Sequence, residues 1–135
     1  NINEVFCFYA VTDLDLLVMD TDGNELYLLQ ALKELPRVIC IEYNSKFRYD
    51  ESYSIAKDNN HVWQGDDYYG ASIAALNKIA EQKGYTLVYK VEQLDAIFVR
   101  NDLISPNYKK PSLKELHPEP IIAHEKVSSK EWVKI

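Results

Sequence analysis

Apolar positions recur at helical spacing in residues 2–11, where Ile2, Val5, Phe6 and Tyr9 share a stripe, so a short amphipathic helix is expected. Residues 14–20 (Leu-Asp-Leu-Leu-Val-Met-Asp) form an apolar run without alternation that ends in an acid, the pattern of a parallel strand covered on both faces. Turn chemistry at Thr21-Asp22-Gly23-Asn24 leads into residues 25–35, where Leu28, Leu32 and Leu35 line one helical stripe, Leu26 and Leu29 flank it, and Pro36 stops it. Residues 37–43 repeat the buried-strand signal, so a strand–helix–strand unit with a right-handed crossover is predicted. Residues 44–67 are polar and aromatic with no period, as in a lid or binding loop. A helix returns over 71–83, with Ile73, Leu76, Ile79 and Ala80 inward and Gly84 closing it. Residues 85–91 and 95–101 read as strands joined by the short turn 92–95, hence an antiparallel hairpin. The pattern then dissolves around Pro106, Pro111, Pro118 and Pro120 into an extended arm with one helical turn near Leu113.

The expected architecture is an α/β domain over residues 1–104, followed by an extended Pro- and Lys-containing tail over 105–135. At 135 residues and 15.7 kDa there is room for one core. A hydrophobic share of 47% with 27% charged residues excludes a disordered chain or a collagen, and two cysteines do not make a disulfide scaffold. No apolar run is long enough to span a bilayer, and Asn1-Ile2-Asn3-Glu4 lacks the marks of a secretory signal, so a cytoplasmic, membrane-free location is expected. Cys7 and Cys40 lie in apolar segments and read as buried thiols of a reducing compartment, with a bridge between them left open. The formal charge of −6 argues against general nucleic-acid binding. The imbalance is local: residues 105–135 hold six Lys against four Glu, a balance of +2, which leaves −8 on the first 104.

Candidate chemistry follows from where the strands end. Ligands of an open α/β sheet bind beyond the carboxyl ends of its strands, where Asp20 and Asp22 close the first strand and Glu42 and Asn44 the second. Three carboxylates gathered there resist full ionisation unless a cation, a ligand amine or a proton relieves them. The competing structural reading is that Asp20, Asp22 and Asn24 only cap the next helix and make its turn. An EF-hand loop is excluded, because its first position falls on Val18 and its twelfth on Leu29. His61, His117 and His124 show no ligand spacing, and no metal site is expected in the chain. Trp63, Tyr68 and Tyr69 are suited either to stacking a ligand or to anchoring their loop. Lys109, Lys110 and Lys114 read as a solvated arm.

Asp15-Leu-Leu-Val-Met-Asp20-Thr-Asp22-Gly23-Asn-Glu-Leu26, the helix through Ala31-Leu32, and Pro36-Arg-Val-Ile-Cys-Ile-Glu42-Tyr-Asn44 together resemble the second half of an FkbM-type S-adenosylmethionine-dependent methyltransferase domain. Lys83-Gly84-Tyr85 entering a strand and the arm at 95–100 fit the same template in order, so the resemblance covers roughly residues 2 to 103. It implies a partial Rossmann-like, class I methyltransferase-like mixed sheet in the spatial order 14–20, 37–43, 95–101, 85–91, with only 95–101 antiparallel. It further implies methyl transfer to a small-molecule or glycan hydroxyl, with Asp20, Asp22, Glu42 and Asn44 lining the transfer pocket and Tyr68, Tyr69, Gly70 and Trp63 meeting the substrate. The four glycines, at 23, 65, 70 and 84, include no G-x-G after a strand, so the cofactor-binding turn is absent from these residues. The expectation is therefore a fragment, a subunit or an inactive remnant that binds the cofactor poorly by itself. The open edge of the 14–20 strand would then be covered by a second copy, another chain or the tail. Two alternatives remain: a haloacid-dehalogenase-like phosphatase, with Asp20 and Asp22 followed by the acid pair Asp66-Asp67 but Asn24 at its hydroxyl position, and a non-catalytic interaction module derived from the same fold.

Overall fold

The computed structural model describes residues 1–92 and 94–135. In chain order the elements are α1 (Ile2–Phe8), β1 (Leu16–Met19), α2 (Glu25–Ala31), β2 (Val38–Glu42), β3 (Tyr53–Ser54), α3 (Ile73–Gln82), β4 (Tyr85–Val91), β5 (Asp95–Arg100), α4 (Leu113–Leu116) and β6 (Val133–Lys134). Four strands form a mixed sheet in the order β1-β2-β5-β4, and β3 pairs with β6 in a small antiparallel sheet. β1 and β2 are parallel, with Leu17 opposite Ile39 and Met19 opposite Ile41. β5 runs antiparallel to both β2 and β4, with a register shift between Leu87 and Tyr89. The turn expected at 92–95 includes Gln93, which lies outside the described residues.

Residues two apart on a strand share a face, and the register therefore lines Leu17, Met19, Ile39, Ile41, Ala96, Phe98 and Leu87 along one side of the sheet. That side meets Leu26, Leu29 and Leu32 from α2 and Ile73, Leu76, Ile79 and Ala80 from α3 in a single core. The opposite face is only partly covered and is most open along β1. Leu16 and Val18 are 54% and 59% exposed. The expectation of a first strand buried on both faces is therefore corrected: its even-numbered side chains face outward because the helices that pack on the sheet share one side.

Helix boundaries are tighter than the apolar stripes suggest. α2 ends at Ala31, because the Leu32 cap turns to extended backbone at ψ 122° before Pro36. α3 starts at Ile73 behind Ser72, whose hydroxyl accepts from the Ala75 amide, and it closes at Lys83 with Gly84 at φ +83°. α1 stops at Phe8, and the Asn3 side chain ties it to α2 by donating to the Ala31 carbonyl and accepting from the Lys33 amide. Cys7 is exposed and Cys40 half-buried, both as free thiols, so neither is the buried cysteine that the apolar pattern suggested.

The tail is not a free arm, and it does not cover β1. His117 is fully buried, with Nε2 2.9 Å from the Phe47 carbonyl and its ring edge-on to Tyr43. The Ile121 amide donates to the Ser45 carbonyl, the Lys126 carbonyl accepts from the Asp67 amide, and the Ile135 amide donates to the Ser52 carbonyl. With β6 on β3, these bonds make residues 117–135 a strap over the loop at 44–72. Among the described residues no helix is long and apolar enough to cross a membrane.

Candidate functional site

The chain turns sharply where β1 ends. Asp22 takes φ +54°, and the turn is held from inside by Glu25, which is fully buried. The Glu25 carboxylate accepts from the Thr21 amide (2.7 Å), the Thr21 hydroxyl (2.5 Å) and the Gly23 amide (3.0 Å). Gly23 is required here, since a Cβ would lie 2.4 Å from the His61 ring. Asn24 makes no side-chain cap; its amide donates instead to the Asp58 carbonyl. Among the described residues the carboxylates of Asp20 and Asp22 receive no hydrogen bond, so the capping role weighed for them falls to Glu25.

Those free carboxylates meet Glu42 from the end of β2. One oxygen from each of Asp20, Asp22 and Glu42 lies within 4.8 Å of the others. Asp20 and Asp22 are exposed, whereas Glu42 is only 6% exposed and its Oε2 has no hydrogen-bond partner. Burial, then the charges of Asp20, Glu25, Asp22 and Asp95, push the Glu42 carboxyl up to about 8. Asp95, cross-strand from Glu42 on β5, is raised by burial and by Asp20. Among the described residues none of these acids joins a salt bridge.

A cleft of about 460 Å³ opens beside the acids, lined by Asp22, Glu42, Trp63, Tyr69, Glu92, Leu94, Ala123 and His124. Trp63, Tyr69 and His124 form its aromatic wall, with ring centroids 5.1 to 5.9 Å apart. The Trp63 indole donates to the Asp66 carbonyl, which fixes its ring. Burial and the charge of Glu42 push the Tyr69 hydroxyl up to about 12. A roomier groove of about 640 Å³ between α1, α2 and residues 57–59 carries no acidic cluster, so the chemistry marks the smaller cleft.

The structure separates the other expected site residues from this cleft. Asn44 lies below it: its amide donates to the carbonyls of Asp67 and Tyr69, both at 2.9 Å, and its oxygen accepts from the Lys46 amide. It positions the Tyr69 segment and lines a smaller hollow of about 230 Å³ that shares Tyr69, Ala123 and His124 with the cleft. Tyr68 points the other way, its hydroxyl accepting from the Ala56 amide and donating to the Glu131 carbonyl while the ring packs on Trp132. Gly70, at φ +56°, faces Glu25, whose Oε2 would lie 3.3 Å from an added Cβ. Tyr68 and Gly70 are thus framework residues, because side chains alternate across the extended segment and only Tyr69 is turned to the acids. Asp66 and Asp67 are also elsewhere: Asp67 pairs with Lys46 at 2.5 Å and accepts from the Ser128 amide, and Asp66 accepts from the Tyr68 amide. Sequence reasoning missed Glu25, Asp95 and His124. The first two carried a signal, an acid just after a glycine turn and an acid opening the hairpin's second arm.

The protein is therefore a mixed α/β domain with one parallel strand pair, an acidic cluster at the ends of that pair, and an aromatic cleft beside it. No protein-family model, characterised protein or solved structure matches the chain.

Proposed function

We propose that these residues form the acceptor side of an FkbM-type S-adenosylmethionine-dependent methyltransferase domain, acting on a hydroxyl of a small molecule or glycan. The observation that carries this reading is the strand order. A sheet of β1-β2-β5-β4 with β5 alone reversed is the order implied by the family resemblance, and no local pattern dictates that the hairpin's second arm should insert beside β2. The cleft suits a hydroxylated acceptor: carboxylates accept from its O–H groups, and Trp63, Tyr69 and His124 offer faces to a sugar ring or other flat apolar surface.

These residues do not fit the cofactor itself. They include no glycine-rich turn between strand and helix to admit its methionine end, and the turn after β1 is filled by Glu25. In this reading the chain's own work is to bind and orient the acceptor, and cofactor affinity is supplied by residues outside this stretch. Calorimetry of the 135 residues with S-adenosylmethionine is expected to show weak binding or none, and micromolar affinity would overturn the acceptor-side assignment. Binding of hydroxylated ligands or glycans, screened by nuclear magnetic resonance, is expected to fall at least tenfold in Asp22→Asn.

The phosphatase reading loses support from the placement of Asp66 and Asp67, which are committed to Tyr68, Lys46 and Ser128. Hydrolysis of a generic phosphate ester, abolished by Asp20→Asn, would restore it. A purely structural interaction module gives no reason to leave three carboxylates without a donor.

A further inference from the structure

We propose that Asp20, Asp22 and Glu42 hold one hard divalent cation, of the magnesium or manganese class. Three features of the cluster carry this. Its geometry fits: one oxygen from each side chain lies within 4.8 Å of the others, and ligand oxygens around a cation at roughly 2.0 to 2.6 Å are about 3 to 5 Å apart. Its donor set fits, since all three ligands are carboxylates, with no imidazole or thiolate to favour a softer metal.

The third feature is the Glu42 side chain. It is more than nine-tenths buried, yet its Oε2 accepts no hydrogen bond while the carboxylate reaches the other two acids. A buried carboxylate oxygen without a donor costs free energy unless something positive occupies the space it faces. The protein supplies no such group: among the described residues, none of the three acids joins a salt bridge. Glu25 makes the bare pair of aspartates possible, because it takes over the amides of the turn and leaves Asp20 and Asp22 all their lone pairs.

The two aspartates are exposed, so a bound ion keeps coordination positions for water or for an oxygen of a ligand in the adjoining cleft. Tyr69 and Trp63 line that cleft together with Asp22 and Glu42. The inference does not depend on methyl transfer, and its test uses the metal alone.

The 135-residue protein, stripped with chelator, is titrated with Mn²⁺ in 0.15 M salt, which screens diffuse attraction to the acidic surface. Free Mn²⁺ is followed by electron paramagnetic resonance, and the heat by calorimetry. One ion per chain is expected, displaced by excess Mg²⁺. Asp20→Asn and Glu42→Gln should each weaken binding at least tenfold, while Asp102→Asn, outside the cluster, should leave it unchanged. Circular dichroism of each variant confirms that the fold persists. Failure of wild-type protein to saturate by about 10 mM Mn²⁺, beyond the weakest ordinary sites, would overturn the proposal. Undiminished binding in both cluster variants would overturn it as well, by placing the ion elsewhere.

Discussion

At the scale of single residues, the site depends on one carboxylate that works inward and three that do not. Glu25 satisfies the turn, and its loss leaves the buried Gly23 amide and the part-buried Thr21 amide without an acceptor. Glu25→Ala should lower stability by about 2–3 kcal/mol, read from the denaturant midpoint. Gly23→Ala should cost about 1–3 kcal/mol, since its methyl group would be driven into the His61 ring. Glu42 behaves oppositely. Its folded pKa, raised by burial to about 8, lies above the unfolded value of 4.5, so the folded state binds the extra proton. Stability in metal-free buffer should therefore fall as pH rises from about 4.5 to 8. Glu42→Gln, which cannot ionise, should melt higher than wild type at pH 9 and close to it at pH 5. A variant that melts lower at both pH values would show that the carboxylate is structural.

Among the elements, the decisive joint is between the loop at 44–72 and the strap at 117–135. Asp67 is its node: burial pushes its carboxyl up, but Lys46 and the Ser128 amide outweigh burial and hold it below the usual value of 3.8. Because the folded pKa is the lower one, this joint contributes fully above pH 3.8 and is lost as pH falls through the folded value. Asp67→Asn should cost about 1–3 kcal/mol at neutral pH. It should also flatten the acid end of the stability profile, followed by tryptophan fluorescence, since Trp132 packs between Phe47 and Tyr68 at this joint. None of this pairing was visible as periodicity. The strap has no helical or strand pattern, because its partners are backbone carbonyls and amides some 60 to 80 residues away.

Over the whole molecule, the sheet is covered by helices on one face and most open on the other along β1. Leu16 and Val18 are exposed on an edge strand whose outer hydrogen-bonding side is unpaired. The protein by itself should self-associate in sedimentation experiments, and Val18→Glu should return it to a monomer with unchanged circular dichroism. A wild-type monomer at high concentration would instead show that this edge is tolerated in water. How much of this was legible varies with the range of the forces involved. Apolar runs at 14–20 and 37–43, the leucine stripe between them and the hairpin signal at 85–101 were enough for the elements and the βαβ unit, because strand and helix periods are local properties of the chain. The hairpin's place beside β2 rested on the family resemblance, and the meeting of Asp20 and Asp22 with Glu42 on the two strands being neighbours. The uncovered face, the withdrawal of Asn44, Tyr68 and Gly70 into the framework, and the conversion of the tail into a strap were decided only by tertiary structure. The first depends on which side of the sheet the helices pack, and the other two on which polar group finds its partner across a long stretch of chain; a residue's type specifies neither. Asp20 and Asp67 are both acids near a turn; that one is left bare and the other is neutralised by Lys46 follows only from what the fold brings beside them.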